Sequence, residues 1–424
     1  MDPLLLIICI AGIALPLMLL ALALFQPGLP YAIPECTDIS PSSEEFVRVL
    51  AIVSDAHLHG DCSLEVLTNG TVFYEAELEA IRSARSHICL EAYIFQKGRV
   101  AKCFIEALAE RARNGVQVRI VLDAVGSFNT RKRTFRELIA AGGQVCWYMP
   151  FRWYNLARFN HRTHREVLIV DGTVAFVGGA GIADHWYDGR RRGSTWRDTM
   201  VRVRGSAVAS LQSMFAENWL ESSGELLTAP RYYPRGGGAG TARALVIDST
   251  PSYGRASRAR MVFQVLIATA RRRIHITTPY FLPDRGARQA LIEAVRRGVE
   301  VKIIVPGKHT DHLLTRRSSR RLYGSLLEAG AEIYEYQRSM IHTKSLVVDD
   351  LWAVVGSTNF DTRSFSINDE INVAALDEPL AARLEEDFQT DLLRCQKVTL
   401  QAWLCRAPIE RIHEWLGWIL ERQE

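Results

Sequence analysis

The sequence has no CxxC pair and no His/Cys spacing typical of a zinc site. Its eight cysteines are scattered along 424 residues. We therefore expect neither a metal centre nor a disulfide framework. Cys89 lies in an apolar, strand-like run and Cys103 in a helical one, positions where a buried structural thiol is the usual outcome.

The chain also lacks a strong excess of either charge. Its formal net charge is +4, well below that of a dedicated nucleic-acid binder, so we expect no nucleic-acid partner. Basic residues do cluster locally. Such clusters suit phosphate or anionic lipid headgroups, or they lie on solvated faces; they occur at 131–133, 190–192, 271–273 and 316–321.

No charged side chain occurs between Leu4 and Phe25, a run of 22 residues. As a helix it would reach ~33 Å, about the thickness of a bilayer core. A cleaved signal peptide is the alternative, but that would normally carry a basic start, and the one charge before this run is Asp2. The sequence predicts a transmembrane anchor at 1–25 and a proline-containing linker at 26–45.

The remainder of the chain is an internal duplication, because one series of short segments occurs twice in the same order. The first copy comprises 87–93, 114–123, 141–145 and 164–181, and the second comprises 274–280, 297–305, 329–333 and 342–359. We expect two domains, at 46–229 and 242–395. A glycine-rich linker at 230–241 would join them.

Both copies alternate helical patterns with short β-branched runs, which predicts an α/β fold with mixed sheets covered by helices. The predicted helices are 73–86, 100–114, 256–272 and 286–297, and the predicted strands are 116–122, 167–170, 299–305 and 346–348. A tail at 396–424 is amphipathic. Its tryptophans and arginines suit either a membrane interface or packing against the domains.

The second copy contains His342, Lys344 and Asp349, followed by Ser357 and Asn359. In a strand, residues two apart project from the same face, so His342 and Lys344 can contact one phosphate. Ser357 and Asn359 can donate hydrogen bonds to the same oxygens.

The first copy repeats this motif in register: His164 and Asp171 each precede their counterparts by 178 residues (342 − 164 and 349 − 171). Two side chains differ, with Glu166 in place of lysine and Gly181 in place of asparagine. An anionic Glu166 would repel phosphate unless it turns away or pairs with a cation. We expect Arg165, Arg162 or His161 to supply that cation.

These motifs resemble the phospholipase D superfamily, and in particular bacterial cardiolipin synthases. The resemblance covers roughly 71–394 and includes Glu91-Ala-Tyr93, Trp196-Arg-Asp198-Thr, Thr278-Pro-Tyr280-Phe281-Leu-Pro283-Asp284 and Asn359-Phe-Asp361-Thr-Arg363-Ser364. It implies two phospholipase D-like domains related by a pseudo-two-fold axis. It also implies a covalent phosphohistidine intermediate, formed without a metal or other cofactor.

By position in that family, His164 is expected to be the nucleophile and His342 the general acid, although the opposite assignment stays open. Lys344 and Asn359 would hold phosphate oxygens with help from Ser357. Asp198 and Glu370 match positions that orient the histidines.

Asp171 and Asp349 belong to the motif but are expected to be structural, at strand ends. Tyr280 and Phe281 either line the substrate cleft or belong to the core.

The resemblance implies an enzyme that makes cardiolipin from two molecules of phosphatidylglycerol at the bacterial inner membrane. A phospholipase D hydrolase, an anchored nuclease and a degenerate scaffold without activity are the alternatives. The sequence indicates neither the oligomeric state nor the membrane side of the site.

Overall fold

The computed structural model of the protein describes residues 12–15, 18, 33, 39–152, 160–187, 195–234, 237–250, 257–408 and 410–411. Within these residues, no helix has the length and apolar character that a bilayer crossing requires. The anchor predicted at 1–25 lies almost entirely outside them, as do most of the linker and the end of the tail.

The first half of the chain alternates helices and strands, as predicted. Its elements are α1 (Glu44–Val53), β1 (Leu58–Thr68), α2 (Gly70–Ser83), β2 (His87–Ala92), α3 (Arg99–Arg113), β3 (Gln117–Asp123), α4 (Arg136–Ala140), β4 (Gln144–Tyr148), β5 (Val167–Val170), β6 (Val174–Gly178), α5 (Asp184–Tyr187), β7 (Thr199–Arg204) and α6 (Ala207–Ser223). Short 3-10 helices cover Lys132–Phe135 and Pro230–Tyr232.

The second half repeats the pattern. It contains β8 (Ala242–Ser249), α7 (Arg258–Thr269), β9 (Arg273–Thr277), β10 (Phe281–Leu282), α8 (Arg285–Arg296), β11 (Glu300–Pro306), α9 (Leu313–Ala329), β12 (Glu332–Tyr336), β13 (Ser345–Val348), β14 (Trp352–Gly356), β15 (Phe360–Asp361), β16 (Glu370–Leu376), α10 (Glu378–Leu392), β17 (Cys395–Val398) and α11 (Leu400–Leu404). β17 pairs with β12, so the sheet extends past the predicted domain boundary at 395.

Short polar residues cap the first turns of several helices, and glycine residues end two others. The side chains of Ser257, Asp284 and Asp377 accept hydrogen bonds from the first turns of α7, α8 and α10. Gly224 and Gly330 end α6 and α9 in the left-handed conformation, which glycine adopts at little cost.

Fifteen strands form one continuous hydrogen-bonded sheet, in the order β17-β12-β11-β9-β13-β14-β16-β8-β1-β7-β6-β5-β2-β3-β4. The long strand β1 connects the halves. Its residues 63–68 pair with β7, and Leu58, His59 and Cys62 pair with β8. The α/β fold with two repeated halves and a mixed sheet is therefore confirmed.

The two halves have the same local topology. In each half, one central strand has a parallel neighbour on one side and, on the other, the antiparallel strand that follows the motif histidine. In the first half β2 pairs in parallel with β3 and antiparallel with β5. In the second half β9 pairs in parallel with β11 and antiparallel with β13. Both motif strands therefore start beside the carboxyl end of a parallel strand. Glu91 opposes Val167 in one half, and Thr277 opposes Ser345 in the other.

The halves also share a core. One cluster of buried side chains combines Val177 and Val201 of the first half with Val355 and Val373 of the second. The sheet thus packs partly against itself, which fixes the positions of the motif strands relative to each other.

Candidate active site

Two reciprocal backbone contacts join the motif of each half to the other half. The amide of His164 donates to the carbonyl of Asp369 at 2.8 Å, and the amide of His342 donates to the carbonyl of Arg197 at 2.7 Å. Each contact places the next residue of the bridging segment, an acid, beside the histidine.

Those acids are Glu370 and Asp198, and each bonds the imidazole of the opposite half. Nδ1 of His164 lies 3.2 Å from Oε2 of Glu370, and Nδ1 of His342 lies 2.9 Å from Oδ2 of Asp198. Both carboxylates are fully buried. A carboxylate at Nδ1 fixes the ring orientation and the tautomer, which leaves Nε2 of each histidine for chemistry.

Lys344 connects the two histidine sites. Its ammonium lies 3.0 Å from Nδ1 and 3.3 Å from Nε2 of His342, and it also interacts electrostatically with both Asp198 and Glu370. Since each acid contacts a different histidine, both imidazoles share the environment of this one cation.

Burial, followed by the charge of Lys344, lowers the pKa of His342, whereas Asp198 opposes that shift. Burial likewise lowers the pKa of Lys344, against the attraction of Asp198 and Glu370. A bound phosphodiester would add negative charge here and favour the protonated form of both groups.

The expected pairing of Glu166 with a neighbouring cation is wrong. Arg165 instead pairs with Asp248 and Glu217, and Arg162 with Asp123.

Glu166 turns to the backbone, where its Oε1 accepts hydrogen bonds from the amides of Tyr93 (3.1 Å) and Ile94 (3.2 Å). Burial raises the pKa of Glu166 well above its usual range, against the amides and the Lys344 charge. A neutral Glu166 carboxyl would not repel phosphate.

Gly181 complements this arrangement. A Cβ atom at this position would lie 2.4 Å from the carbonyl oxygen of Ile94 and 2.9 Å from Oε1 of Glu166. An asparagine in the expected place would therefore collide with the backbone that holds Glu166. The two departures from the repeated motif are sterically coupled.

Asp171 and Asp349 occupy equivalent structural positions at the ends of β5 and β13. The Asp171 carboxylate accepts hydrogen bonds from the backbone amides of residues 85–87, and the Asp349 carboxylate from those of residues 271–273. Both residues have positive φ values, 54° and 56°. Their carboxylates tie each motif strand to the strand beside it.

Ser357 and Asn359 lie near the second motif but in different roles. The hydroxyl of Ser357 donates to Glu370, so it supports the acid. Asn359 is buried, and its Oδ1 has no hydrogen-bond partner among the described residues. That unpartnered atom is an acceptor, whereas a phosphate oxygen would take its hydrogen bond from Nδ2, so the phosphate-binding role of Asn359 stays a prediction.

The paired short strands β10 and β15 separate the roles of Tyr280 and Phe281. The Tyr280 ring faces His342 at 6.4 Å, and its hydroxyl donates to Asp311 at 2.5 Å. Phe281 is buried in the core and stacks on Phe360 at 5.6 Å. The alternative that placed Phe281 in the substrate cleft is wrong, while Tyr280 does border the site.

Other aromatic residues near the histidines were not predicted as site residues. The Tyr93 ring lies 4.9 Å from that of His164, and Trp186 and Trp196 lie 5.5 and 5.6 Å from His342. Trp186 also donates to Asp198 at 2.9 Å. Tyr93 and Trp196 belong to the family-like stretches of the sequence, which was the available signal, whereas no such stretch includes Trp186.

Glu77 is a second unpredicted residue close to the site. It is buried on α2, where burial raises its pKa to about 8, and it interacts electrostatically with Glu166. In the sequence it looks like one of many helix glutamates, so no pattern indicated this environment.

Comparison with known proteins supports the likeness of the two halves. Residues 78–219 and 264–392 each match the family described as cardiolipin synthase, PLD-like domain. The chain is 35% identical over 376 residues to the major cardiolipin synthase ClsA of Bacillus subtilis, covering 88% of this chain and 77% of that protein. It is 31% identical over 381 residues to cardiolipin synthase 2 of Staphylococcus epidermidis, covering 89% and 78%.

Among solved structures, the fold is similar to that of a phosphatidylserine synthase from Haemophilus influenzae, with a TM-score of 0.66. The match covers 89% of this chain and all of that one at 14% sequence identity. At this identity the likeness concerns the fold alone.

Proposed function

The chain belongs to the cardiolipin synthase family of PLD-like proteins, and we propose on this basis that it makes cardiolipin and glycerol from two phosphatidylglycerol molecules. One observation carries the proposal. Each of two imidazoles, from separate halves, has its Nδ1 on a buried carboxylate of the opposite half and shares the Lys344 cation. Such a pair suits displacement at phosphorus, which needs a nucleophile and an acid on opposite sides.

In the first step, Nε2 of His164 attacks the phosphorus of one phosphatidylglycerol. The bond from phosphorus to the terminal glycerol oxygen breaks, and His342 gives its proton to that oxygen. Glycerol leaves, and a phosphatidyl group stays on His164. Glu370 stabilises the positive charge that develops on the His164 ring.

In the second step, neutral His342 takes the proton from a glycerol hydroxyl of another phosphatidylglycerol. That oxygen attacks phosphorus and displaces Nε2 of His164, which forms cardiolipin and restores both histidines. Water in place of the second lipid would give phosphatidic acid, so the acceptor decides between transfer and hydrolysis.

Lys344 is the group that holds the phosphate charge, together with the Asn359 side chain, and their donors act on oxygens that gain charge during the displacement. Glu166 leaves the first half without a cation at the position that matches Lys344. The second half therefore supplies the cation that binds the phosphate, although the two histidines are arranged symmetrically.

We further propose that the protein works at the bacterial inner membrane, held by the uncharged run from Leu4 to Phe25 as a single-pass anchor. An anchor confines the enzyme to the surface in which its lipid substrate is concentrated.

The test is lipid analysis of cells that lack other cardiolipin synthases and produce the protein. We expect cardiolipin with the wild-type chain and none with His164→Ala or His342→Ala, at equal protein levels. Cardiolipin that accumulates equally in both variants would exclude the mechanism. Incubation of purified protein with single-stranded DNA addresses the nuclease alternative, which predicts cleavage there and no lipid product.

A further inference from the structure

Two loops that follow equivalent parallel strands carry exposed apolar side chains beside the site. The loop after β3 presents Phe128, 72% exposed. The segment after β11 presents Leu313 and Leu314, which are 51% and 41% exposed at the start of α9. Exposed large apolar side chains are ordinary when scattered singly, but a grouping beside one site is informative.

The first loop is fixed to the site through the Tyr93 segment. Ser127 donates its hydroxyl proton to the Tyr93 carbonyl at 2.8 Å, and Thr130 bonds the Phe95 carbonyl. A Cβ atom at Gly126 would lie 2.3 Å from the Tyr93 carbonyl oxygen, so the loop backbone lies directly on this segment. Since the Tyr93 ring contacts His164, Phe128 stands at the edge of that half of the site.

The second loop is fixed in the same manner through Tyr280. The Tyr280 hydroxyl bonds Asp311, its ring lies 5.7 Å from that of His312, and it also faces His342. Tyr93 and Tyr280 are close enough to interact electrostatically. The two tyrosines thus lie beside the two histidines, and each holds one of the loops.

Basic residues outnumber acidic residues strongly in both loops. No acidic residue occurs from 124 to 136, whereas Arg131, Lys132 and Arg133 are exposed there. Phe128, Arg131 and Arg133 share a hollow of about 410 Å³. From 307 to 327 the one acid is Asp311, which Tyr280 engages, and Lys308 is exposed.

We propose that these loops form a docking face for an anionic lipid bilayer, defined by Phe128, Leu313, Leu314, Arg131, Arg133 and Lys308. The apolar side chains insert among the lipids at the interface, and the cations hold lipid phosphates around them. The site opening then faces the bilayer, and a phospholipid reaches His164 and His342 without leaving the membrane. This inference rests on the proposed function, because it assumes a lipid substrate.

The kinetic test compares two physical forms of one substrate: long-chain phosphatidylglycerol in vesicles, and short-chain phosphatidylglycerol dissolved below its micelle concentration. For the Phe128→Ser/Leu314→Ser double variant we expect a roughly tenfold lower rate on vesicles, because lost insertion weakens docking. Its rate on the dissolved substrate should equal that of the wild type.

Leu393→Ser is the matched control, since Leu393 is 89% exposed and lies in neither loop. It should leave both rates unchanged. A vesicle rate equal to the wild-type value, or an equal loss on both substrate forms, would overturn the docking face.

Arg131→Glu/Arg133→Glu tests the charges. Its rate on vesicles should fall roughly tenfold or more at low salt, because two cations that attract the anionic surface become two anions that it repels. The wild-type vesicle rate should decline as salt screens that attraction, while the variant should depend little on salt. Lys102→Glu/Arg113→Glu on α3 replaces two exposed cations outside the loops and controls for the same change in net charge. Loss of activity with unchanged salt dependence would contradict the charge assignment.

A readout independent of activity separates this inference from the proposed function. Hydrogen exchange of the full-length protein is compared in nanodiscs with phosphatidylglycerol and in nanodiscs of phosphatidylcholine alone. Amides of 124–131 and 307–314 should exchange more slowly in the anionic discs, with 393–395 unchanged. Equal exchange would refute docking even if cardiolipin is made, and protection without cardiolipin would refute the proposed reaction alone.

Discussion

Nδ1 of His164 lies 3.2 Å from Oε2 of Glu370, although 206 residues separate them in the chain. Glu370 is fully buried and also accepts a hydrogen bond from Ser357. The mirror relationship joins His342 to Asp198. Each half therefore contributes the imidazole of one pair and the acid of the other.

Removal of either acid's charge should impair turnover far more than substrate affinity. For Glu370→Gln and Asp198→Asn we expect kcat to fall by roughly 10²–10⁴-fold, since the imidazolium loses its stabilising partner. KM should change little. The measurement is steady-state kinetics on phosphatidylglycerol, with the exposed Glu79→Gln as the control. A kcat close to the wild-type value would show that the acids are dispensable.

The pH dependence of the Asp198→Asn variant should move in a defined direction. Asp198 raises the pKa of His342, against the lowering by burial and by Lys344. Without the carboxylate the pKa falls, so the proton that His342 donates is lost at lower pH. The alkaline limb of the pH profile of kcat should therefore shift toward acid. A shift of the acid limb toward acid, with the alkaline limb unchanged, would instead indicate that His342 acts in its neutral form.

Asp349→Ala should destabilise the protein because three backbone amides, those of residues 271–273, lose their acceptor. Hydrogen bonds to charged groups are individually worth about 1.5–3 kcal/mol, so we expect a loss of about 2–4 kcal/mol in the free energy of unfolding. Urea denaturation measures it. Asp350→Ala, next in the chain with an exposed ion-pair partner, should cost much less. If both variants lost the same free energy of unfolding, Asp349 would have no special structural role.

Glu166 should tolerate a neutral acceptor of the same shape. Glu166→Gln retains an oxygen for the amides of Tyr93 and Ile94, and we expect unchanged activity. Glu166→Ala leaves both amides without an acceptor and should cost about 1–3 kcal/mol of stability. Glu166→Lys removes the same acceptor and should lose stability to a similar extent, but its rate per folded molecule should equal or exceed that of the wild type. Abolished activity in the folded Gln variant would assign the carboxyl a positive part in catalysis.

Glu77→Gln should make stability less dependent on pH. Burial raises the pKa of Glu77 to about 8, so the folded state binds more protons than the unfolded state above pH 4.5. Wild-type stability therefore falls as pH rises toward 8. The Gln variant should gain up to about 4 kcal/mol relative to wild type between pH 5 and pH 8. Chemical denaturation at several pH values measures this, and a constant difference would contradict it.

Much of the fold could be predicted because both copies of the duplication show the same hydrophobic periodicity and the same spacing between motifs. The predicted helix at 286–297 corresponds to α8, and the predicted strands at 299–305 and 346–348 correspond to β11 and β13. The apolar periods that identify these elements are local properties of the chain.

The family resemblance predicted that Asp198 and Glu370 orient the histidines, but not which acid meets which histidine. Those pairs join residues 144 and 206 positions apart and depend on how the sheet packs. Phe281 illustrates a smaller failure. A two-residue strand pairs it with Phe360 and turns its ring into the core, while Tyr280 beside it faces the site. The prediction for Glu166 failed for another reason. Its hydrogen-bond partners are backbone amides, which the pattern of side chains in the sequence does not reveal.

The division of β1 between both halves has a consequence for any attempt to separate them. Residues 63–68 belong to one sheet region, while Leu58, His59 and Cys62 supply hydrogen bonds to β8. A C-terminal fragment produced alone would expose an unpaired β8 edge, a template for intermolecular strand addition. We therefore expect the N-terminal and C-terminal fragments to be soluble when they are produced together in one cell. Each fragment would then supply the strand pairing that the other lacks.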